Sequence, residues 1–246
     1  MTAPTTGHDT WRLGDKELSS RLVLAIPEEA DTGDLDAVLE ASGAGVATLR
    51  TAPVEPGRHD LIAETLRRHD VLMLPNTAGC ANADEAVRAA EHGAELSGIR
   101  WVKLILTNDG DHQIPEPVEM YRAARELVDR GFQVFPNASD DPGYAADLER
   151  AGCAGVFPQG SPVGSGQGLI APLKFRLMVE RLGIPVVIGA GIGRHADAFE
   201  AMELGCAAVA SAKVVFEAAD RPAAAAALAA AVRAGRQAHL GSRAAA

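Results

Sequence analysis

One lysine lies inside a short apolar run, Trp101-Val102-Lys103-Leu104-Ile105-Leu106. Turn formers bound the run (Gly98 before it, Asn108-Asp109-Gly110 after it), so it reads as a buried strand. A lysine there must be paired, reach water or lose its proton, because a buried charge is costly. A partly neutral amine attacks carbonyls to form a Schiff base. The alternative is a stem that snorkels to the strand end and pairs with a carboxylate. Alternation puts Trp101, Lys103 and Ile105 on one face and Val102, Leu104 and Leu106 on the other. An apolar neighbour such as Ile105 favours the neutral amine.

A second set of residues suits an anion. Gly160-Ser161-Pro162-Val163-Gly164-Ser165-Gly166-Gln167-Gly168 and Ala190-Gly191-Ile192-Gly193 are both glycine-rich, and the second runs into a helix. Glycines let the backbone approach a ligand and present N–H groups, and a helix amino end adds a favourable dipole. With Ser211 and Ala212, the expected phosphate-binding set is Gly166, Gly168, Gly191 and Gly193. Tight turns without a ligand are the alternative reading. Asp140 and Cys80 are the proton-transfer candidates: Asp140 faces the expected mouth, and Cys80 lies near a helix start, where a thiol pKa falls unless the thiol is buried and inert. Asp141 reads as a helix cap and Asn76-Thr77 as a turn. Asp109, Asp111, Glu28 and Glu29 read as solvated, and His195 as a surface residue beside the proposed anion.

The elements that must position these groups alternate strictly. Candidate strands cover 21–26, 45–50, 70–74, 100–106, 132–135, 155–158, 185–189 and 207–210. Candidate helices cover 34–41, 58–69, 83–96, 117–130, 142–151, 172–182, 196–204 and 222–238. Strict alternation means a parallel sheet, and eight units in 246 residues favour a single (β/α)8 TIM barrel, an α/β fold with its site at the carboxyl ends of the strands. The expected organisation is a disordered 1–10, a barrel over 11–240 opened by a short hairpin plug at 11–20, and a loose tail at 241–246. Asp141-Pro142 and Asp220-Arg221-Pro222 mark helix starts, and Gly131, Gly152, Gly183 and Gly205 mark helix stops.

Composition narrows the partners. The net charge of −10, from 33 acidic and 23 basic residues, argues against a nucleic-acid surface but leaves room for a local anion pocket. No apolar run reaches membrane-spanning length and no signal-peptide pattern is seen, so no membrane association and a reducing cytoplasm are expected. Cys153 and Cys206 sit in small apolar runs and read as core residues. The seven histidines show no metal-ligand spacing, and no metal is expected.

Taken together, these residues resemble the thiazole synthase ThiG family. The matching segments include Leu13-Gly14-Asp15-Lys16, Ser20-Arg21-Leu22, Glu40-Ala41-Ser42-Gly43 and Leu74-Pro75-Asn76-Thr77-Ala78-Gly79-Cys80. They continue with Trp101-Val102-Lys103-Leu104, Asp140-Asp141-Pro142, the two glycine-rich loops and Ala201-Met202-Glu203-Leu204-Gly205. The resemblance implies a (β/α)8 barrel, a sugar phosphate substrate and an imine between Lys103 and its ketone. It also implies a small ubiquitin-like sulfur-carrier protein bearing a thiocarboxylate, homo-oligomers, and no cofactor beyond the carrier's sulfur.

The departures from the family pattern are specific. Ile105 stands where the family has a glutamate, and Gly189 where it has an aspartate. Those carboxylates are the expected proton-transfer groups for closing and dehydrating the thiazole ring. Ala25-Ile26-Pro27-Glu28-Glu29 replaces Gly-Thr-Gly-Lys-Tyr, and Asn137-Ala138-Ser139 replaces Tyr-Thr-Asn. The expected function is therefore that of a ThiG-like 2-thiosugar synthase of natural-product pathways, with Gly189 opening room for a longer sugar. Alternatives are a thiazole synthase using substitute acids, a Schiff-base aldolase, and a catalytically silent sugar-phosphate or carrier-binding protein.

Overall fold

A computed structural model describes residues 9–27, 32–51, 58–107 and 113–243. Glu28, Glu29, Asp109 and Asp111 lie outside the described residues. The chain opens with an antiparallel hairpin, β1 (Trp11–Leu13) and β2 (Lys16–Leu18), turned at Gly14. Parallel strands then alternate with helices: β3 (Leu22–Ala25), α1 (Leu35–Ser42), β4 (Val46–Arg50), α2 (Arg58–Arg68), β5 (Leu72–Asn76), α3 (Ala83–Ser97), β6 (Trp101–Leu104), α4 (Pro117–Asp129), β7 (Gln133–Pro136) and α5 (Pro142–Arg150). After a long loop come α6 (Pro172–Arg181), β8 (Val187–Ile188), α7 (His195–Glu203), β9 (Ala208–Ser211), the short α8 (Lys213–Phe216) and α9 (Arg221–Arg243).

Seven strands form one parallel sheet in the order β7-β6-β5-β4-β3-β9-β8. The strand expected at 155–158 does not form as such. Pro158 has no N–H to extend a ladder, and the segment meets β8's chain only through bridges at Val156–Val186 and Gln159–Ala190. It still closes the cylinder. Ala154, Phe157 and Gln159 donate to Val134, Pro136 and Ala138 on one side, while Val187 and Gly189 donate to Val156 and Pro158 on the other. The result is the expected barrel with one irregular stave.

Strand alternation divides the core as the barrel requires. Val102, Leu104, Val134 and Val209 face the helices, whereas Trp101, Phe135, Phe157, Val187 and Ala208 fill the interior. Trp11, Leu13 and Leu18 of the hairpin join that interior cluster, so the hairpin plugs the amino end of the barrel. Trp11 Nε1 donates to the Ser20 carbonyl at 2.8 Å and anchors it. The aromatic floor is built edge to face, Trp101 on Phe135 at 5.4 Å and Phe135 on Phe157 at 6.2 Å between ring centroids.

The expected ends need correction. Asp9, placed in the frayed terminus, accepts from Arg21 at 2.9 Å and from Arg236 at 2.9 Å, which ties the chain start to β3 and α9 and holds its carboxyl down at about 2. Gly241, placed in a loose tail, is still helical because the alanine-rich α9 runs on through it. Asp141 caps α5 as expected, accepting from Gly143 N at 2.7 Å and Tyr144 N at 3.1 Å ahead of Pro142. Gly131, Gly152 and Gly205 follow α4, α5 and α7 with positive φ, while Gly183 does not. No helix among the described residues is long and apolar enough to cross a membrane.

Candidate active site

The interior of the barrel opens at the carboxyl ends of the strands into a cavity of about 610 Å3. Lys103 lines it and is only 4% exposed. β6 delivers it there because its face is the one shared with Trp101, and Asn76 on β5 and Phe135 on β7 are its register partners. Its Nζ donates to the Gly189 carbonyl at a long 3.4 Å and stands 5.2 Å from the Phe157 ring centroid. No carboxylate among the described residues pairs with it. Desolvation therefore brings its pKa down from 10.5 to about 8, leaving a fraction of the amine neutral at pH 7. The snorkelling alternative fails on this geometry.

Thr48, Asn76, Ile105, Asn137, Gly189 and Ser211 also line the cavity. Ile105 stays at the mouth because Thr77 stitches it there: the Thr77 hydroxyl donates to the Ile105 carbonyl and accepts from its N–H, both at 2.8 Å. Asn76 and Thr77 are thus more than turn formers. Asn76 ends β5 facing the cavity, with its Nδ2 donating to Thr48 Oγ1 at 3.2 Å. Ser211 is 4% exposed, and its hydroxyl has no hydrogen-bond partner among the described residues. A buried orphan hydroxyl on a cavity wall suits a ligand oxygen.

The two glycine-rich loops cross at the rim, but not as an amide cradle along their full length. Gly166 and Gly191 line the cavity. Gly193 and Gly168 do not, and they act behind the wall. A Cβ on Gly193 would lie 2.2 Å from the Gly166 carbonyl oxygen, so both loops need glycine to pass so closely. Gly193 N donates to Asp197 Oδ2 at 3.0 Å and Arg194 N donates to the same oxygen at 2.8 Å. The amino end of α7 is therefore satisfied by its own buried carboxylate, which already occupies the place expected for an anion. A Cβ on Gly168 would lie 3.0 Å from the same carboxyl group.

Positive charge comes instead from side chains. Arg50, Lys103, Lys213 and Arg221 line the cavity, against Glu217 as the single acid among the described lining residues. Glu217 Oε2 is held by Lys213 Nζ at 3.0 Å, and Arg221 reaches Asp34 at 3.4 Å. Sequence reading missed Arg50, Lys213 and Asn137. The first two ride on a strand end and an unforeseen short helix, and no spacing pattern links them to Lys103.

Asp140 and Cys80 are not brought to Lys103. Asp140 Oδ2 accepts from Lys174 Nζ at 2.8 Å on the outer rim, and neither residue is on the cavity wall. Burial and the nearby Glu85 raise the Cys80 thiol rather than lower it, opposite to an activated nucleophile. His195 also lies off the cavity, its Nε2 3.3 Å from the Ala224 carbonyl oxygen. Cys153 and Cys206 are core residues, their thiols pushed up by burial to about 12. The described residues contain no cluster of three or more potential metal ligands.

Residues 12–246 match the sequence family described as thiazole biosynthesis protein ThiG. The chain belongs to the ThiG family. It is 38% identical over 251 residues to a thiazole synthase of Synechococcus sp. (strain CC9605), across 99% of this chain and 92% of that protein. Among solved structures it superposes on one described as the Amycolatopsis orientalis BexX/CysO complex, with a TM-score of 0.82 and 32% identity, covering 94% of this chain and 95% of the other. A thiamine phosphate pyrophosphorylase from Pyrococcus furiosus shares the fold alone, at a TM-score of 0.62 and 17% identity, covering 87% of this chain and 96% of that one.

The Gly189 departure has a structural reading different from an enlarged cavity. A Cβ there would lie 2.6 Å from the Phe157 carbonyl oxygen and 2.9 Å from Asn137 Oδ1. The space beside Gly189 is filled by Asn137 and Phe157, so the expected room for a longer sugar does not arise at this point.

Proposed function

We propose that the chain is a sulfur-inserting synthase acting on a ketose phosphate to give a 2-thiosugar phosphate. Lys103 Nζ bonds the ketone carbon, the carbonyl oxygen leaves as water, and an imine results. A thiocarboxylate sulfur, brought by a carrier protein, then adds to that carbon as the imine nitrogen takes a proton. Water cleaves the resulting thioester and frees the carrier as its carboxylate. The Lys103 amine leaves, and the carbon–sulfur double bond left behind tautomerises with the neighbouring hydroxymethyl carbon to the 2-thiosugar phosphate. The observation that carries this reading is a buried amine with a lowered pKa and no carboxylate beside it. Such a site supports imine chemistry but lacks the acids that ring closure and dehydration call on. The cationic wall and the orphan Ser211 hydroxyl support a phosphorylated substrate. The BexX/CysO complex supports a protein partner of the sulfur-carrier kind, and exposed Val118, Ile170 and Leu173 offer apolar surface for a homo-oligomer. The three free cysteines suit a reducing cytoplasm.

Borohydride reduction during incubation with glucose 6-phosphate or fructose 6-phosphate tests the imine. The expected result is a mass increase on the peptide carrying Lys103, and an unmodified peptide overturns the reading. The 38% identity to a thiazole synthase favours a second reading, thiazole formation from deoxyxylulose phosphate. Supplying both sugars with a thiocarboxylated carrier separates the two, since a thiazole phosphate as the main product sinks the thiosugar reading.

A further inference from the structure

Beside Lys103 lies a second polar group with unused hydrogen-bonding capacity. Asn137 is 2% exposed and lines the cavity, and among the described residues its side-chain amide makes no hydrogen bond. The amide opens on the cavity, where a water or a ligand group is its partner. The backbone fixes where it sits: Asn137 N donates to the Leu104 carbonyl at 2.8 Å, so β7 delivers the amide next to the mouth end of β6.

Gly189 is what admits it. A Cβ at 189 would stand 2.9 Å from Asn137 Oδ1, so a side chain there displaces the amide. The Gly189 carbonyl is also the acceptor for Lys103 Nζ at 3.4 Å. Amine and amide therefore converge on one glycine, on the Lys103 side of the cavity. Ser211 and Lys213 belong to the end of β9 and the start of α8, at the other side of the barrel, which suits them to the phosphate end of the proposed substrate.

A primary amide donates and accepts at once, which matches a hydroxyl, and it carries no charge that would compete for the phosphate. We propose that Asn137 is a specificity-determining residue that hydrogen-bonds a hydroxyl on the carbon next to the reacting carbonyl. The site then takes ketose phosphates bearing that hydroxyl and discriminates against their 1-deoxy counterparts. This rests on the ketose phosphate reading above. A methyl in place of the hydroxymethyl group displaces water from the amide without replacing its hydrogen bond, the situation in which sites reject an analogue most strongly.

Calorimetry with fructose 6-phosphate and 1-deoxyfructose 6-phosphate tests it on the whole protein. The wild type is expected to bind the hydroxylated sugar roughly 10- to 100-fold more tightly. Asn137→Ala should bring that ratio close to one by weakening the hydroxylated sugar alone. Asn137→Leu, which keeps the volume of the side chain and removes its hydrogen-bonding atoms, should do the same and serves if Asn137→Ala folds poorly. A wild-type ratio of one, or equal weakening of both sugars in both variants, overturns the proposal. Borohydride trapping at Lys103 is read separately. No adduct with the ratio intact breaks the imine reading and leaves Asn137 standing, whereas an adduct with a ratio of one does the reverse.

Discussion

Two buried charges sit within one loop's reach of the same cavity and are treated in opposite ways. Asp197, 1% exposed, accepts from Gly193 N, Arg194 N, and both Nε and Nη2 of Arg194. Lys103, 4% exposed, has one long hydrogen bond and no counter-charge. The saturated charge is structural: it ends α7 and locks the crossing of the two loops. The unsaturated charge is held where folding alone would not favour it, and unmet capacity of that kind marks groups kept for a ligand. Ser211 and Asn137 fall on the Lys103 side of this division.

Substituting Lys103 should separate the two classes most sharply. Lys103→Met is expected to lower activity by at least roughly 1000-fold, because the other lysine among the described lining residues, Lys213, is solvent-exposed and held as a charged group by Glu217 at 3.0 Å. The same variant should be more stable than its parent at pH 7. In the folded protein the lysine binds its proton with a pKa of about 8, against 10.5 for the model group. Below pH 8 both states are protonated and the cost is present in full, on the order of 3 kcal/mol. Between about 8 and 10.5 the cost fades, and above that range it is gone. Urea midpoints of the two proteins should differ at pH 7 and converge as pH rises through that window. Equal midpoints at pH 7 would place Lys103 with the structural charges.

Asp197→Ala should move stability the other way. It orphans two backbone N–H groups at the start of α7, a loss of roughly 2–4 kcal/mol readable as a lowered thermal midpoint. An unchanged midpoint would dissolve the contrast. The smallest effect is expected at Ser211→Ala. Fructose 6-phosphate should bind roughly 3- to 10-fold more weakly while thermal stability holds or rises slightly, since the lost hydroxyl satisfied nothing in the fold. A clear drop in stability would return Ser211 to the structural side.

Much of the scaffold was legible because it depends on local signals. Period and punctuation locate the longer helices to within a few residues, and alternation along 101–106 puts Lys103 on the inner face. The segment at 155–158 was misread as an ordinary strand because its apolar pattern outweighed the missing donor of Pro158. At the site, residue types misled where the same chemistry serves two ends. A glycine-rich turn entering a helix reads as an anion cradle, and Asp197, four residues after Gly193, turned out to be the anion. Asp140 looked placed for the mouth, but Lys174, 34 residues away, holds it on the rim.

What the sequence determined alone was the alternating order of elements, the inward face of Lys103 and membership of the ThiG pattern, all of which follow from local periodicity and contiguous motifs. Tertiary structure decided which polar groups share the cavity: Arg50, Asn137 and Lys213 from three different units, with Asp140 and Cys80 left outside it. It also decided the acidity of Lys103, because desolvation comes from surroundings contributed by strands far apart in the chain.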